Sequence, residues 1–199
     1  MSPPRAPSGR PADPRFPGRL RIAAGSRRGR FIKVPPGNVR PTSDKVRQAV
    51  FNALGAVNGL TALDLFAGSG ALGLEALSHG ARSCLFVEAD PRVVVVLKEN
   101  ISTLDYEQAG RVIVADYRRA LESLATAGTS FDLLFVDPPY RILSEVEIVL
   151  TPFVPSLLSA NGVAVIESER SSQASLGLVP VFTRIYGDTK ITMVRRSVA

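Results

Sequence analysis

The fold is decided by Leu60-Thr61-Ala62-Leu63-Asp64-Leu65-Phe66, which is followed at once by Ala67-Gly68-Ser69-Gly70-Ala71-Leu72-Gly73. The apolar run predicts a buried strand at 61–66, and the residues after the glycines predict a helix at 71–79. Gly68 and Gly70 permit a tight turn in which the backbone approaches a ligand closely. The free N–H groups at the start of the helix point to the same place. The stretch therefore predicts a strand, a ligand-binding loop and a helix.

A dinucleotide site is the first alternative for this loop. Gly68, Gly70 and Gly73 match the G-x-G-x-x-G fingerprint, which on its own is weak support. Asp64 counts against it, because a carboxylate just before the loop can hold an ammonium group but would repel a pyrophosphate. The chain of 199 residues is also short for an additional substrate domain.

Two further apolar runs end at a carboxylate. Cys84-Leu85-Phe86-Val87 leads to Glu88, and Val112-Ile113-Val114-Ala115 leads to Asp116. The carboxyl ends of parallel strands share one sheet edge, where open α/β folds bind ligands. Glu88 suits the two hydroxyls of a ribose, or is simply a solvated strand end. Asp116 taken alone is better explained as the cap of the helix that follows. Together with Asp64, they predict a nucleoside ligand with a positively charged head.

A fourth apolar run, at 131–136, ends in Asp137-Pro138-Pro139-Tyr140. The two prolines remove N–H donors and fix φ, so the corner is stiff and rich in acceptors. Such acceptors suit the NH₂ group of a flat ligand on whose face Tyr140 could stack. A simple turn that ends a strand is the alternative.

Strands alternate with helices along most of the chain, which predicts an α/β fold with a doubly wound, mostly parallel sheet. We expect strands near 61–66, 83–88, 111–115, 131–137 and 162–168, and helices near 71–79, 91–104, 118–127 and 144–158. Two closing strands near 179–186 and 190–196 should form a hairpin at one sheet edge, joined at Gly187-Asp188.

Positive charge is concentrated at the N-terminus. Residues 1–47 contain ten Arg and two Lys against two Asp, a net charge of +10, so the rest of the chain carries −4 of the total of +6. This asymmetry indicates a nucleic-acid partner. Residues 1–17 hold six of the 15 prolines and little that could form a core, so we expect a disordered tail.

Residues 19–24 and 30–34 alternate basic and apolar residues around a turn at 25–29, which predicts a β-hairpin. One face should pack on the body while Arg21, Arg27, Arg28 and Arg30 reach outward to phosphates. A helix should then begin at Thr42 or Ser43, with Val46, Val50, Phe51 and Leu54 as its buried stripe. Lys45 and Arg47 lie off that stripe, where they would line an RNA path or form an ordinary solvated face.

Other features exclude several classes of protein. The single cysteine, Cys84, lies in an apolar strand, and the single histidine, His79, precedes Gly80 at a predicted helix end. We therefore expect no disulfide and no metal site. No apolar run approaches the ~18 residues that span a bilayer, and no signal peptide is evident. We expect a cytoplasmic protein without a membrane partner, and a monomer.

These motifs resemble those of class I S-adenosylmethionine-dependent methyltransferases. More closely, the chain is similar to the bacterial small-subunit (16S) ribosomal RNA guanine-N2 methyltransferases of the RsmD type. That similarity adds Arg40-Pro41-Thr42-Ser43-Asp44-Lys45-Val46-Arg47, Val50-Phe51-Asn52 and Ile191-Thr192-Met193-Val194-Arg195-Arg196 to the motifs above, and covers roughly residues 20–196. It implies a Rossmann-like, seven-stranded sheet with the strand order 3-2-1-4-5-7-6 and helices on both faces.

The resemblance also implies roles for particular residues. The cofactor S-adenosyl-L-methionine would be bound by Asp64, Phe66, Gly68, Gly70, Glu88 and Asp116. Catalysis would use Asp137, Pro138 and Tyr140, and Arg40 would join the RNA-binding residues. The partner would be ribosomal RNA or the small ribosomal subunit. We expect a tail at 1–17, a basic hairpin and linker at 18–40, and a catalytic domain at 41–199.

Three other functions fit parts of the pattern. An adenine-N6 nucleic-acid methyltransferase shares the loop and a related Pro-Pro-aromatic corner, but usually carries a sizeable target-recognition region. A glutamine-N5 protein methyltransferase typically begins with a helical domain. A non-catalytic ribosome-assembly factor could keep the fold, although the intact Asp64, Gly68, Asp137 and Tyr140 argue against it.

Overall fold

Residues 18–35 and 43–196 are described by the computed structural model, and they alternate between strand and helix after a short hairpin. The strands are β1 Gly18–Arg21, β2 Phe31–Val34, β3 Thr61–Asp64, β4 Ser83–Glu88, β5 Gly110–Val114, β6 Phe131–Val136, β7 Leu158–Glu169, β8 Pro180–Tyr186 and β9 Thr189–Arg195. The α-helices are α1 Asp44–Leu54, α2 Ala71–Ser78, α3 Pro91–Thr103, α4 Tyr117–Thr126, α5 Leu143–Leu150 and α6 Val154–Leu157. Single 3₁₀ turns lie at Tyr140–Ile142 and Thr151–Phe153.

Seven strands form one sheet in the order β5-β4-β3-β6-β7-β9-β8. Strands β3 to β7 pair in parallel, and β9 runs antiparallel to both β7 and β8. Counted from β3, this is the order 3-2-1-4-5-7-6, so the predicted fold class, strand order and edge hairpin are confirmed.

Both faces of the sheet are covered, which is why the central strands are apolar on both sides. On one face, α1, α2 and α3 bury residues such as Phe51, Leu74 and Leu97. On the other face, α4, α5 and α6 bury residues such as Leu121, Val146 and Val154. The strand ends are therefore the parts of the sheet that remain available for a ligand.

The predicted N-terminal hairpin is also confirmed. Strands β1 and β2 pair antiparallel, from Gly18 opposite Val34 to Arg21 opposite Phe31. Ile22 and Ile32 are each 1% exposed and belong to the same hydrophobic core as α1, α2 and α3. The hairpin thus packs as a part of the body.

The predicted helix at 144–158 is wrong in its second half. Helix α5 ends at Leu150, a 3₁₀ turn follows, α6 is a single turn, and β7 begins at Leu158 instead of near residue 162. Pro152 and Pro155 lie at the starts of the two short segments. Because proline has no N–H and crowds the preceding turn, the two prolines divide the helix.

Cys84 is a buried free thiol, and His79 caps the end of α2 and stacks on Phe51, so both were placed correctly. Among residues 18–35 and 43–196, no group of three or more His, Cys, Asp or Glu is arranged to hold a metal ion. In the same residues, no helix combines the length and the apolar character needed to cross a membrane.

Replacing Gly73 with Ala should destabilise the protein, although alanine is the better helix former. A Cβ at this position would lie 2.3 Å from Phe86 Cε1 and 2.6 Å from Cys84 Sγ. Overpacking of this kind costs about 1–3 kcal/mol, which exceeds the gain in helix propensity. Urea unfolding should show the loss, and the loss should be smaller in a Phe86→Leu background. A Gly73→Ala protein as stable as the wild type would contradict this packing.

Candidate functional site

The carboxyl ends of four parallel strands bring the predicted site residues to one edge of the sheet. Asp64 at the end of β3 lies opposite Phe135 in β6, so Asp137 comes two residues beyond this pair. Glu88 at the end of β4 lies opposite Val114 in β5, with Asp116 two residues beyond. The structure therefore gathers the predicted cofactor and catalytic residues along one edge, as the sequence pattern implied.

The loop between β3 and α2 turns on two glycines with left-handed backbone conformations. Gly68 has φ 52° and Gly70 has φ 83°, which a residue with a side chain rarely adopts. Gly70 donates its N–H to Ala67 O at 2.7 Å, and Gly70 O accepts from Leu74 N at 2.8 Å. The loop thus ends as the start of helix α2, whose first N–H groups face the strand ends.

Asp64 is a buried carboxylate that joins the central strand to helix α2. It is 2% exposed, and its Oδ2 accepts a hydrogen bond from Gly73 N at 2.9 Å. Burial raises the pKa of Asp64 from 3.8 to about 7, the Gly73 hydrogen bond opposes this, and the nearby Glu88 adds to it. A ligand cation placed here would favour the ionised carboxylate.

Glu88 ties the end of β4 to the glycine loop. Its Oε2 accepts from Gly68 N at 3.0 Å and its Oε1 accepts from Asp90 N at 2.8 Å. Each carboxylate oxygen can accept more than one hydrogen bond, so both can still receive ligand hydroxyls. Glu88 therefore fixes the loop and presents acceptors beside it.

Asp116 caps helix α4, which was one of its two predicted roles. Its carboxylate accepts from Arg118 N at 2.9 Å and lies 3.6 Å from Arg118 Nη1. Phe66, predicted near the cofactor, packs its ring 5.1 Å from that of Tyr117, the first residue of α4. Capping accounts for Asp116 without any ligand, so a role in binding adenine remains a prediction.

The corner after β6 is rigid. Pro138 is buried, Asp137 is half-buried, and Tyr140 begins a 3₁₀ turn in which Pro139 O accepts from Ile142 N at 3.0 Å. The Tyr140 ring is 37% exposed and its hydroxyl lies 3.1 Å from Thr189 Oγ1 at the start of β9. The tyrosine is thus fixed at its tip while its ring stays accessible, and the Pro139 carbonyl is already used within the turn.

A cleft of about 350 Å³ opens at the opposite, amino-terminal edge of the sheet. It is lined by residues such as Leu54, Asp132 and Asn161, and by none of the predicted site residues. The Asp132 carboxylate there accepts from Thr61 and Ser159. We therefore assign this cleft no part in the candidate site, which lies at the carboxyl-terminal ends of the parallel strands.

The basic residues predicted to bind RNA are not equally available. Arg28 and Lys45 are exposed, and Arg21 is an exposed residue whose Nε lies 3.9 Å from Asp44 Oδ2. Arg27 and Arg30 both pair with Asp105, at 3.6 and 2.7 Å, and Arg27 Nε also donates to Leu104 O at 2.7 Å. Arg40 lies outside the described residues, as do Thr42 and the predicted tail at 1–17.

The prediction that Arg47 faces outward is wrong. Arg47 is 1% exposed, and its Nη2 donates to Arg21 O and to Asp44 Oδ1, each at 2.7 Å. Its Nε lies 3.7 Å from Glu75 Oε2. The guanidinium joins α1 to the hairpin and α2, so it has no surface to offer RNA.

Two buried polar residues that hold the site together were not predicted. Glu75, fully buried on α2, accepts the backbone N–H groups of Ala23 and Ala24 in the hairpin. Asn100, buried on α3, bonds both to the hairpin and to the glycine loop. A charged or amide side chain within an apolar helical stripe was the signal in each case, because such a group needs a buried partner.

Comparisons with known proteins agree with this geometry. The family model described as Conserved hypothetical protein 95 matches residues 20–195. Ribosomal RNA small subunit methyltransferase D of Haemophilus influenzae is 33% identical over 159 residues, which is 79% of this chain and 82% of that protein. The Escherichia coli protein of the same name is 46% identical over 127 residues, 62% of this chain, and the match spans 62% of its length, less than two thirds. The solved structure of Escherichia coli yhhF superimposes with a TM-score of 0.78 at 34% identity, covering 92% of this chain and 100% of that one.

Replacing Asp64 with Asn should change how stability depends on pH. Folded Asp64 keeps its proton to about pH 7, whereas the unfolded residue loses it near 3.8, so the folded state holds more protons between these values. The contribution of the protonated carboxyl is therefore lost as pH rises. Between pH 5 and 8 the wild type should lose about 2–3 kcal/mol of unfolding free energy relative to Asp64→Asn. Parallel urea-unfolding profiles for the two proteins would show that Asp64 titrates normally.

Proposed function

Because the chain belongs to the Conserved hypothetical protein 95 family, with the small-subunit ribosomal RNA methyltransferases D, we propose that it methylates ribosomal RNA with S-adenosyl-L-methionine. More specifically, we propose that the acceptor is the exocyclic N2 amine of a guanine in 16S ribosomal RNA. The substrate would be a small-subunit assembly particle, and the protein would act in the cytoplasm as a monomer. The observation that carries the proposal is the meeting of a glycine loop, two carboxylates and the Asp137 corner at one sheet edge.

Each part of the cofactor would find a chemically suitable residue at the carboxyl-terminal ends of the parallel strands. Glu88 offers acceptors for the two ribose hydroxyls, and Asp64 offers a carboxylate that a cationic group would help to ionise. Gly68 would let the backbone approach the methionine end, because a Cβ there would meet only Phe66 O, at 4.0 Å. Gly70 would shape the loop, since a Cβ at that position would lie 2.5 Å from Leu97 Cδ1. Phe66 and Asp116 would lie toward the adenine.

The corner at Asp137 would hold the target base. The bound sulfonium supplies both the methyl group and its own leaving group, so the protein mainly needs to align the reactants and exclude water. Asp137 and the Pro138 carbonyl would each accept one hydrogen of the guanine amine, which would direct the nitrogen lone pair toward the methyl carbon. Tyr140, fixed by Thr189, would stack on the base. The thioether would leave as the methyl carbon bonds to the amine nitrogen. Asp137 would act as an acceptor and need not be a strong base, because the methylated ammonium is very acidic and loses its proton readily.

RNA contacts would come from the accessible basic residues of the N-terminal segment. Arg21, Arg28 and Lys45 are exposed, and Arg40 lies in the adjoining segment between β2 and α1. The target base must leave its stack to reach the corner, which favours a loop nucleotide over one inside a duplex.

A methyl-transfer assay tests the proposed function. With tritiated S-adenosylmethionine, we expect label in small-subunit particles or protein-free 16S ribosomal RNA and none in duplex DNA. Nucleoside mass spectrometry should identify N2-methylguanine. Asp137→Ala should lower turnover by about 100-fold or more, because a preorganised hydrogen-bonding group is removed at the reacting atom. Glu122→Ala, which removes an exposed carboxylate on α4, should leave turnover unchanged.

The outcomes of this assay separate the alternatives. N6-methyladenine in the product would support the adenine enzyme, and labelled protein in place of RNA would support a protein methyltransferase. Absence of transfer to any substrate, with retained binding to the particle, would support a non-catalytic assembly factor. Near-normal turnover by Asp137→Ala would remove Asp137 from the mechanism.

Glu88→Gln should weaken cofactor binding. The change keeps the size of the side chain but removes the charge and half of the acceptor oxygens that the ribose hydroxyls would use. Hydrogen bonds to a charged group contribute about 1.5–3 kcal/mol, so affinity should fall by about 10-fold to 150-fold. Calorimetry with S-adenosylhomocysteine measures this directly. Unchanged affinity would refute the assignment of Glu88 to the ribose.

A further inference from the structure

One buried side chain joins the N-terminal hairpin to the glycine loop. Asn100 lies on α3 and is 1% exposed. Its Oδ1 accepts from Lys33 N at 2.8 Å, and its Nδ2 donates to Lys33 O at 2.9 Å. The same Nδ2 donates to Ser69 O at 2.9 Å. Three hydrogen bonds thus run from one amide to strand β2 and to the loop.

The hairpin strand sets the orientation of this amide. A primary amide has one acceptor oxygen and two N–H donors, and here the Lys33 backbone uses the oxygen and one donor. The second donor is then directed at Ser69 O. Without β2 in place, Asn100 would lose two of its three hydrogen bonds within the protein.

The peptide to which Asn100 donates joins Ser69 to Gly70, in the middle of the glycine loop. Ser69 lies between Gly68 and Gly70, both of which have positive φ and wide backbone freedom. Around it, Gly68 N is held by Glu88 and Gly70 N by Ala67 O. The bond to Ser69 O is a second restraint on the peptide that joins Ser69 to Gly70, whose N–H is the one held by Ala67 O.

We propose that Asn100 is a positioning residue that couples the N-terminal hairpin, and RNA bound to it, to the loop that receives the cofactor. This inference rests on the proposed function. RNA that holds strand β2 in place would keep Asn100 in the orientation that bonds to Ser69 O. The glycine loop would then lose less conformational entropy when the cofactor binds. Because such coupling is reciprocal, the cofactor would strengthen RNA binding by the same factor.

A second docking point of the hairpin offers a matched control. Ser78, at the end of α2, accepts from Arg27 N at 3.0 Å and donates to Ala24 O at 2.5 Å through its hydroxyl. These bonds hold the hairpin turn without touching residues 67–70. Ser78→Ala should therefore loosen the hairpin turn while leaving the bridge at Asn100 intact.

The test measures the affinity of S-adenosylhomocysteine by calorimetry, with and without saturating 16S ribosomal RNA. The wild type should bind it about 5-fold to 150-fold more tightly when RNA is present. Asn100→Asp should reduce this ratio to near one, because a carboxylate has no N–H to donate and would face two carbonyl oxygens. Asn100→Ala, which lacks both donor and charge, should give the same result. Ser78→Ala should keep the wild-type ratio.

Several results would overturn the coupling. A ratio near one in the wild type, or a wild-type ratio in Asn100→Asp and Asn100→Ala, would show that the bridge transmits nothing. Equal loss in Ser78→Ala would assign the effect to general loosening of the hairpin. Failure of the wild type to bind either ligand would refute the proposed function itself, whereas independent binding of both would refute only the coupling.

Discussion

A carboxylate buried at the end of the central strand is the constraint on which the rest of the structure depends. Asp64 is shielded from water, and a buried carboxyl group is costly unless it is hydrogen-bonded. Its partner, Gly73 N, belongs to the first turns of α2, so the bond fixes that helix against β3. A side chain at Gly73 would collide with Phe86 and Cys84, so the position favours glycine. The spacing from Asp64 to Gly73 is therefore required by packing and by this hydrogen bond.

The basic hairpin is an integral part of this arrangement. Ile22 and Ile32 share the core of α1, α2 and α3, and the fully buried Glu75 receives two backbone N–H groups from the hairpin. Arg47 then brings a positive charge to Glu75 from α1. Burial raises the pKa of Glu75, while these hydrogen bonds and the charges of Arg47 and His79 oppose the rise. The N-terminal hairpin, which the sequence predicts to bind RNA, thus also contributes to the hydrophobic core on one face of the sheet.

Periodicity was enough to predict the sheet and the hairpins, and strand-end chemistry predicted that the candidate site residues would lie along one sheet edge. The family resemblance supplied the strand order. The inward position of Arg47 was predictable, because with Val50, Phe51 and Leu54 it stands at positions i, i+3, i+4 and i+7 of one helix face. Its partners could not be predicted, since Glu75 and Arg21 are distant from it in sequence. The broken helix before β7 was predictable, since Pro152 and Pro155 are visible in the sequence. Asn100 was also detectable, as the polar member of a stripe with Val96, Leu97 and Ile101.

The excess positive charge of the N-terminal segment does not translate directly into an RNA-binding surface. Part of it is used to hold the hairpin, since Arg27 and Arg30 share Asp105 and Arg47 is buried against Glu75. The pair of Arg30 with Asp105 is exposed at both ends, and exposed pairs contribute only about 0–1 kcal/mol. A phosphate can therefore replace Asp105 at little cost, whereas removing Arg47 would take from the buried Glu75 carboxylate the guanidinium that lies 3.7 Å away.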